Sequence, residues 1–213
     1  MKRALTFSLV HVIVWTTLVL VLAGDAGVDY DDIGVPSTPW VRQFIIALSV
    51  VFVLQLVYVS RISDRSGIFR EARRSARRSA WVPPALLFVA GLGAFASDGL
   101  SEAPAAWWVG MIATMLLVGV TEEMTFRGIL VHGLREDGLA ERRVVVVSSA
   151  LFGLFHLPNF LLGQDLSTTI RQVVVTAILG AAFHSLRRAS GSLIPCMILH
   201  AAYDWSVLQG AFG

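Results

Sequence analysis

Ala4 to Ala23 is a run of 20 residues without Asp, Glu, Lys or Arg, preceded by Lys2 and Arg3. A helix needs about 20 consecutive apolar residues to cross the hydrocarbon core of a bilayer, and this run supplies them. Comparable runs recur along the chain, and 55% of all residues are hydrophobic while only 15% are charged. That balance is too apolar for an ordinary water-soluble domain of this length. The expected fold is all-α: a polytopic membrane helix bundle of about seven transmembrane helices, forming one integral membrane domain over residues 1–213. A cleavable signal peptide would carry a shorter apolar region, roughly 7 to 15 residues, so the first run reads as a retained helix.

The remaining spans follow in order. Asp25 to Pro39 is an acidic loop, and Trp40 to Ser60 is the second span, with Trp40 placed as an interfacial anchor. Arg61 to Ser79 carries seven arginines interleaved with Ile62, Ile68, Phe69, Ala72 and Ala76. It reads as a basic amphipathic helix lying on anionic headgroups at the cytoplasmic face, against the plainer reading of a solvated linker. The third span opens at Trp81-Val82-Pro83-Pro84 and runs to about Ser97, since proline is tolerated in a first helical turn. Asp98 to Glu102 is a short acidic turn. The fourth span begins near Pro104 or Ala105 and runs to about Val131, and Gly133 to Arg143 is a charged loop. Val144 to Leu162 is the fifth span, kinked or ended at Pro158. Ser167 to Leu186 is the sixth and Ser192 to about Leu208 the seventh.

Lys and Arg positions test this division. With the N-terminus in the cytoplasm, Lys2, Arg3, the Arg61 to Arg78 cluster, Arg135, Arg142, Arg143, Arg187 and Arg188 all fall inside, and only Arg42 and Arg171 fall outside. The expected location is therefore a multi-pass protein of a bacterial-type cytoplasmic membrane. The lipid bilayer is its expected partner, and no nucleic-acid patch is implied. The single cysteine, Cys196, excludes an intrachain disulfide framework and a cysteine-based metal cage, and reads as a core residue.

Chemistry is expected where charge enters an apolar helix. Glu122 and Glu123 end an uncharged run from Ala105 to Val120, and intramembrane ionisable residues mark functional sites by default. Arg127 stands four residues after Glu123, the favourable order for a helical ion pair, which makes Glu123 chiefly Arg127's partner. Glu122 has no cation at i+3 or i+4. At ~1.5 Å per residue, Glu122, His156 and His200 lie roughly 13 to 18 Å from the cytoplasmic side, so three helices deliver polar groups to one level. Asp204 lies one turn beyond His200, and Asn159 lies close to His156. His11, His132 and His184 lack such company and read as structural. Phe152 and Phe155 read as packing residues, and the small residues Ser149, Gly153, Ala177 and Ala181 suit close helix contacts.

Glu122-Glu123-Met124-Thr125-Phe126-Arg127, Phe152-Gly153-Leu154-Phe155-His156 and His200-Ala201-Ala202-Tyr203-Asp204 resemble the three motifs of the CAAX-protease and bacteriocin-processing family of intramembrane proteases, also called CPBP or Abi. The resemblance covers the C-terminal half, with a catalytic core at 105–210. It implies a glutamate-dependent intramembrane endopeptidase, acting on a peptide or protein substrate, lipidated or not, in which Glu122 and His156 activate water in a cleft open to the cytoplasm. His200 and Asp204 would stabilise the oxyanion, Glu123 would complete the site, and Arg127, Asn159 and Phe152 would support it. The sequence departs from the prenyl-protein proteases at Asp204, where they have Asn. An ionised Asp cannot donate to an oxyanion, so Asp204 either stays protonated or orients His200. No cofactor is expected. Two histidines and a carboxylate are a sufficient zinc set, but no His-Glu-x-x-His helix is present. The alternatives from other classes are a non-catalytic scaffold, an immunity or regulatory protein, and a proton-coupled transporter, which would often show a paired repeat that this chain lacks.

Overall fold

Two caps, a glycine turn and glycine contacts between two pairs of helices set where the helices of this chain begin, end and meet. The computed structural model describes residues 2–26, 40–71, 74–75, 77–86 and 104–210. Helix α1 spans Lys2–Ala26, α2 spans Trp40–Ser60 and α3 is the short turn Ser66–Phe69. A long helix follows as α4 (Ala105–Glu123), a π-helical stretch (Met124–Leu130) and α5 (Val131–Glu136). Then come α6 (Glu141–Leu154), a 3-10 stretch (Leu157–Leu162), α7 (Leu166–Ser190) and α8 (Ile194–Gly210).

Among the described residues, five segments are long and apolar enough to cross a membrane: Arg3–Leu22, Arg42–Ser60, Ala105–Glu136, Glu141–Leu162 and Leu166–Ser190. Helix α8 stands where the seventh span is expected but has 17 residues. Most of the expected third span, the acidic loop at 27–39 and the turn at 98–102 lie outside the described residues. The bundle is apolar on its surface and polar within, the distribution suited to hydrocarbon surroundings. Ile13, Val53, Val109, Val146, Ile178 and Ile198 are exposed, whereas Gln55, Glu123 and Arg127 are fully buried.

The fourth span runs past Val131 to Glu136, so the expected charged loop shrinks to Asp137–Ala140, where Gly138 turns the chain at φ 77°. Helix α7 also outruns its expected bounds. Its N-cap is Asp165, whose side chain accepts from the Ser167 and Thr168 backbone N–H groups, and Gly191 ends it in the left-handed conformation at φ 78°. Hydrogen bonds from the Thr168 and Ser167 side chains, followed by these backbone ones, hold the Asp165 carboxyl down to about 2.

Close contacts then align the helices. A Cβ on Gly119 would strike the Met197 carbonyl oxygen and come within 3.1 Å of Ala201 N, so α4 and α8 touch backbone to backbone. Gly153 meets Ala177, and Ser149 meets Gly180, joining α6 to α7. The expected small-residue contact is therefore present, with Gly180 in the place assigned to Ala181.

The basic segment does not form the expected surface helix. Its described part holds only the four-residue α3, a 3-10 turn at Arg78–Trp81 and an isolated antiparallel bridge from Arg70 to Ser192. Tertiary pairing outcompetes a lipid-facing helix here, because Ile68 is fully buried and Glu71 meets three arginines. Glu71 lies 2.9 Å from both Arg135 and Arg187 and 3.6 Å from Arg188. Glu141 closes the same cluster, 2.6 Å from Arg135 and 2.7 Å from His184 Nε2. These contacts gather the end of α5, the start of α6 and the end of α7 on one side of the bundle.

Candidate active site

The site is built where α4 passes into the π-helix against α8. Both side chains of the Glu122-Glu123 pair are buried. Glu123 Oε1 lies 3.0 Å from Arg127 Nη1, which gives the ion pair expected from the i,i+4 spacing. The same oxygen accepts from His200 Nδ1 at 2.9 Å. Glu123 therefore does more than neutralise Arg127: it fixes the orientation of the α8 imidazole. Arg127 is fully buried, and its guanidinium sits 3.8 Å over the Phe152 ring and 5.4 Å from that of Phe183. Ring faces suit a desolvated cation, which leaves it one short ion pair and two aromatic neighbours.

Glu122 Oε2 lies 3.7 Å from His200 Nε2, and Asp204 Oδ2 lies 3.4 Å from the same nitrogen. Three carboxylates thus surround one imidazole, which is further held by stacking on Phe183 with centroids 5.0 Å apart and an interplanar angle of 16°. Glu122 Oε2 is buried without a hydrogen-bond partner, as expected for the carboxylate left over from the ion pair.

His156 is positioned by the end of α6. The helix stops at Leu154, Pro158 falls in the first turn of the 3-10 stretch, and the interruption frees the Phe152 carbonyl. His156 Nδ1 takes that carbonyl at 3.0 Å. A carbonyl can only accept, so Nδ1 carries the proton and Nε2 of the neutral ring keeps a free lone pair. Phe152 packs edge-on to both His156 and His200, at 5.2 and 5.7 Å, and separates the two rings. His156, His200 and Asp204 line one cavity of about 140 Å³, together with Gln172, Thr176 and Tyr203. Glu122 approaches His200 but is not among the residues lining that cavity, whereas the sequence placed it facing both histidines. Asn159 Nδ2 donates to Gln172 Oε1 at 2.9 Å, bracing the 3-10 stretch on α7.

Phe183, Gln172 and Gln55 were not found from sequence. Gln55 carried a usable signal, a lone amide in the middle of an apolar span; Phe183 carried none. His11, read as structural, lies beside Gln55. Cys196 is buried and its thiol donates to Phe183 O at 3.3 Å, as suits a core residue. Among the described residues no group of three or more His, Cys, Asp or Glu side chains is arranged to hold a metal ion.

A helical membrane bundle with an intramembrane carboxylate–histidine cluster is the class these features define. Residues 104–206 match the family described as type II CAAX prenyl endopeptidase Rce1-like. The matched segment contains all three motifs and makes up just under half of the chain. No curated protein and no solved structure matched the chain.

Proposed function

We propose that the protein is a glutamate-dependent intramembrane endopeptidase acting on a membrane-associated or lipidated peptide, with its N-terminus and cleft on the cytoplasmic side. One observation carries the proposal: Glu122, Glu123 and Asp204 all approach His200 within 4 Å inside an apolar bundle, beside a cavity that also exposes His156.

Glu122 is the base. Its unpartnered oxygen takes a proton from water, assisted by the lone pair on His156 Nε2, and the hydroxide oxygen bonds to the scissile carbonyl carbon. The carbonyl oxygen becomes an oxyanion, which the Nε2–H of a doubly protonated His200 stabilises while its Nδ1–H stays on Glu123; a donor so placed is worth ~3 to 4 kcal/mol. Glu122 then returns the proton to the nitrogen as the C–N bond breaks and the oxyanion reforms C=O, leaving a carboxylic acid and an amine. Glu123 holds His200 by Nδ1, and Asp204 orients it from the Nε2 side. Arg127 and Phe152 keep this geometry, and Asn159 braces the turn that presents His156. The cavity accepts a substrate side chain next to the scissile bond; a pocket of similar size holds a benzene-sized group.

Metal-free water activation is part of the proposal. Purified protein in lipid vesicles is expected to cleave a membrane-associated peptide after exhaustive chelation and to lose cleavage in Glu122→Gln. Activity lost on chelation and restored by zinc would contradict it.

A further inference from the structure

Gln55 on α2 and His11 on α1 lie outside the segment that matches the family, yet both are buried, at 0% and 4% exposure, and both reach the π-helix. Gln55 Nε2 donates to the Thr121 carbonyl at 2.6 Å and to Thr125 Oγ1 at 2.7 Å. Thr125 Oγ1 in turn lies 3.1 Å from His11 Nδ1. Gln55 Nε2 also lies 3.4 Å from His11 Nδ1, so the three side chains close one small polar cluster. The Thr121 carbonyl can only accept, so one amide proton of Gln55 is spent on it.

Thr121 and Thr125 bracket Glu122 and Glu123 where the helix leaves the α register for the wider i→i+5 one. Such stretches are rare and cluster at functional sites, and a donor from outside the helix that takes up the Thr121 carbonyl stabilises the widened register. An apolar side chain of similar size would fill the space occupied by Gln55. Only a donor can hold a main-chain carbonyl on one side of the Glu pair and a hydroxyl on the other.

We propose that Gln55, backed by His11, is a positioning residue of the active site. It holds the widened turn in the register that aims Glu123 at His200 and Arg127, and Glu122 at His200 Nε2. The N-terminal helices are then working parts of the site rather than membrane anchors. The link to catalysis rests on the proposed function; the structural half does not.

The test uses the full chain in lipid nanodiscs, with Gln55→Leu, Thr125→Val, the double variant, and Val53→Ala as a lipid-facing control. Amide hydrogen exchange over residues 119–131 is expected to quicken about tenfold in Gln55→Leu, while α7 is unchanged. Thr125→Val should act in the same direction, and the double variant should exceed Gln55→Leu by less than about twofold. On a peptide the wild type cleaves, kcat should fall about 10- to 100-fold with KM within about twofold. Unchanged exchange at 119–131, or exchange raised equally throughout the bundle, overturns the proposal. So does a kcat loss that only tracks loss of folded protein. Localised exchange together with a Glu122→Gln protein that still cleaves upholds the positioning of the turn and rejects the water-activating role of Glu122. Unchanged exchange with an inactive Glu122→Gln protein does the reverse.

Discussion

Replacing Glu123 by Gln keeps the shape of the side chain and removes its charge. In the wild type one oxygen of Glu123 faces two donors, Arg127 Nη1 at 3.0 Å and His200 Nδ1 at 2.9 Å, and both side chains of the ion pair are fully buried. At that separation and an effective dielectric of about 20, the gross attraction to Arg127 is about 5 kcal/mol. The glutamine carbonyl still accepts one hydrogen bond, which recovers about 1 kcal/mol. The guanidinium remains buried without its counter-charge, and Phe152 below it serves both proteins alike. The expected net loss is about 3 to 5 kcal/mol of stability, read from reversible unfolding in mixed micelles. Arg127→Met in each background completes the cycle. Because one buried charge without the other is the costly state, the double variant should be about 2 to 3 kcal/mol more stable than the sum of the singles. A Glu123→Gln protein within about 0.5 kcal/mol of wild type, or strict additivity in the cycle, would refute the assignment of Glu123 as the hub.

Gly119→Ala should improve helix propensity by up to about 1 kcal/mol yet destabilise overall, since overpacking costs about 1 to 3 kcal/mol. The new Cβ meets the Met197 backbone, which cannot rotate away. Separation of α4 from α8 should also lower kcat by at least about tenfold, and an unchanged rate would show that the close contact does not set the site. Asp204→Asn should lower kcat about tenfold through loss of His200 orientation, far less than Glu122→Gln; a fully retained rate would remove the orienting role. Asp165→Ala should lower the thermal midpoint, with a pH signature. The Asp165 carboxyl is held at about 2 against an ordinary 3.8, so its contribution is complete above the ordinary value and is lost as pH falls through about 2. The gap between wild type and variant should be constant from pH 7 to about pH 4 and narrow towards pH 2.

The residues legible in the sequence were those whose presence in hydrocarbon is costly. Glu122, Glu123 and Arg127 stand out against an uncharged run, and the i,i+4 spacing already paired two of them. His156 and His200 were legible by depth, although that estimate ended the fourth span at Val131 and missed the continuation to Glu136. Glu71 was not legible: nothing local marks it among seven arginines, and only folding shows that Arg135 and Arg187 come from two helices to bury it. The π-helix was equally hidden, because its register depends on a donor from α2, and no local pattern in Met124–Leu130 encodes a partner at position 55. Phe183 was one apolar residue among many until the fold laid its ring on His200.

The most direct test of the central claim compares peptide termini in membranes that hold equal amounts of the wild-type protein or of Glu122→Gln. The account predicts a set of new termini, from membrane-associated or lipidated proteins, that is present with the wild type and missing with Glu122→Gln. The same termini in both membranes would contradict it.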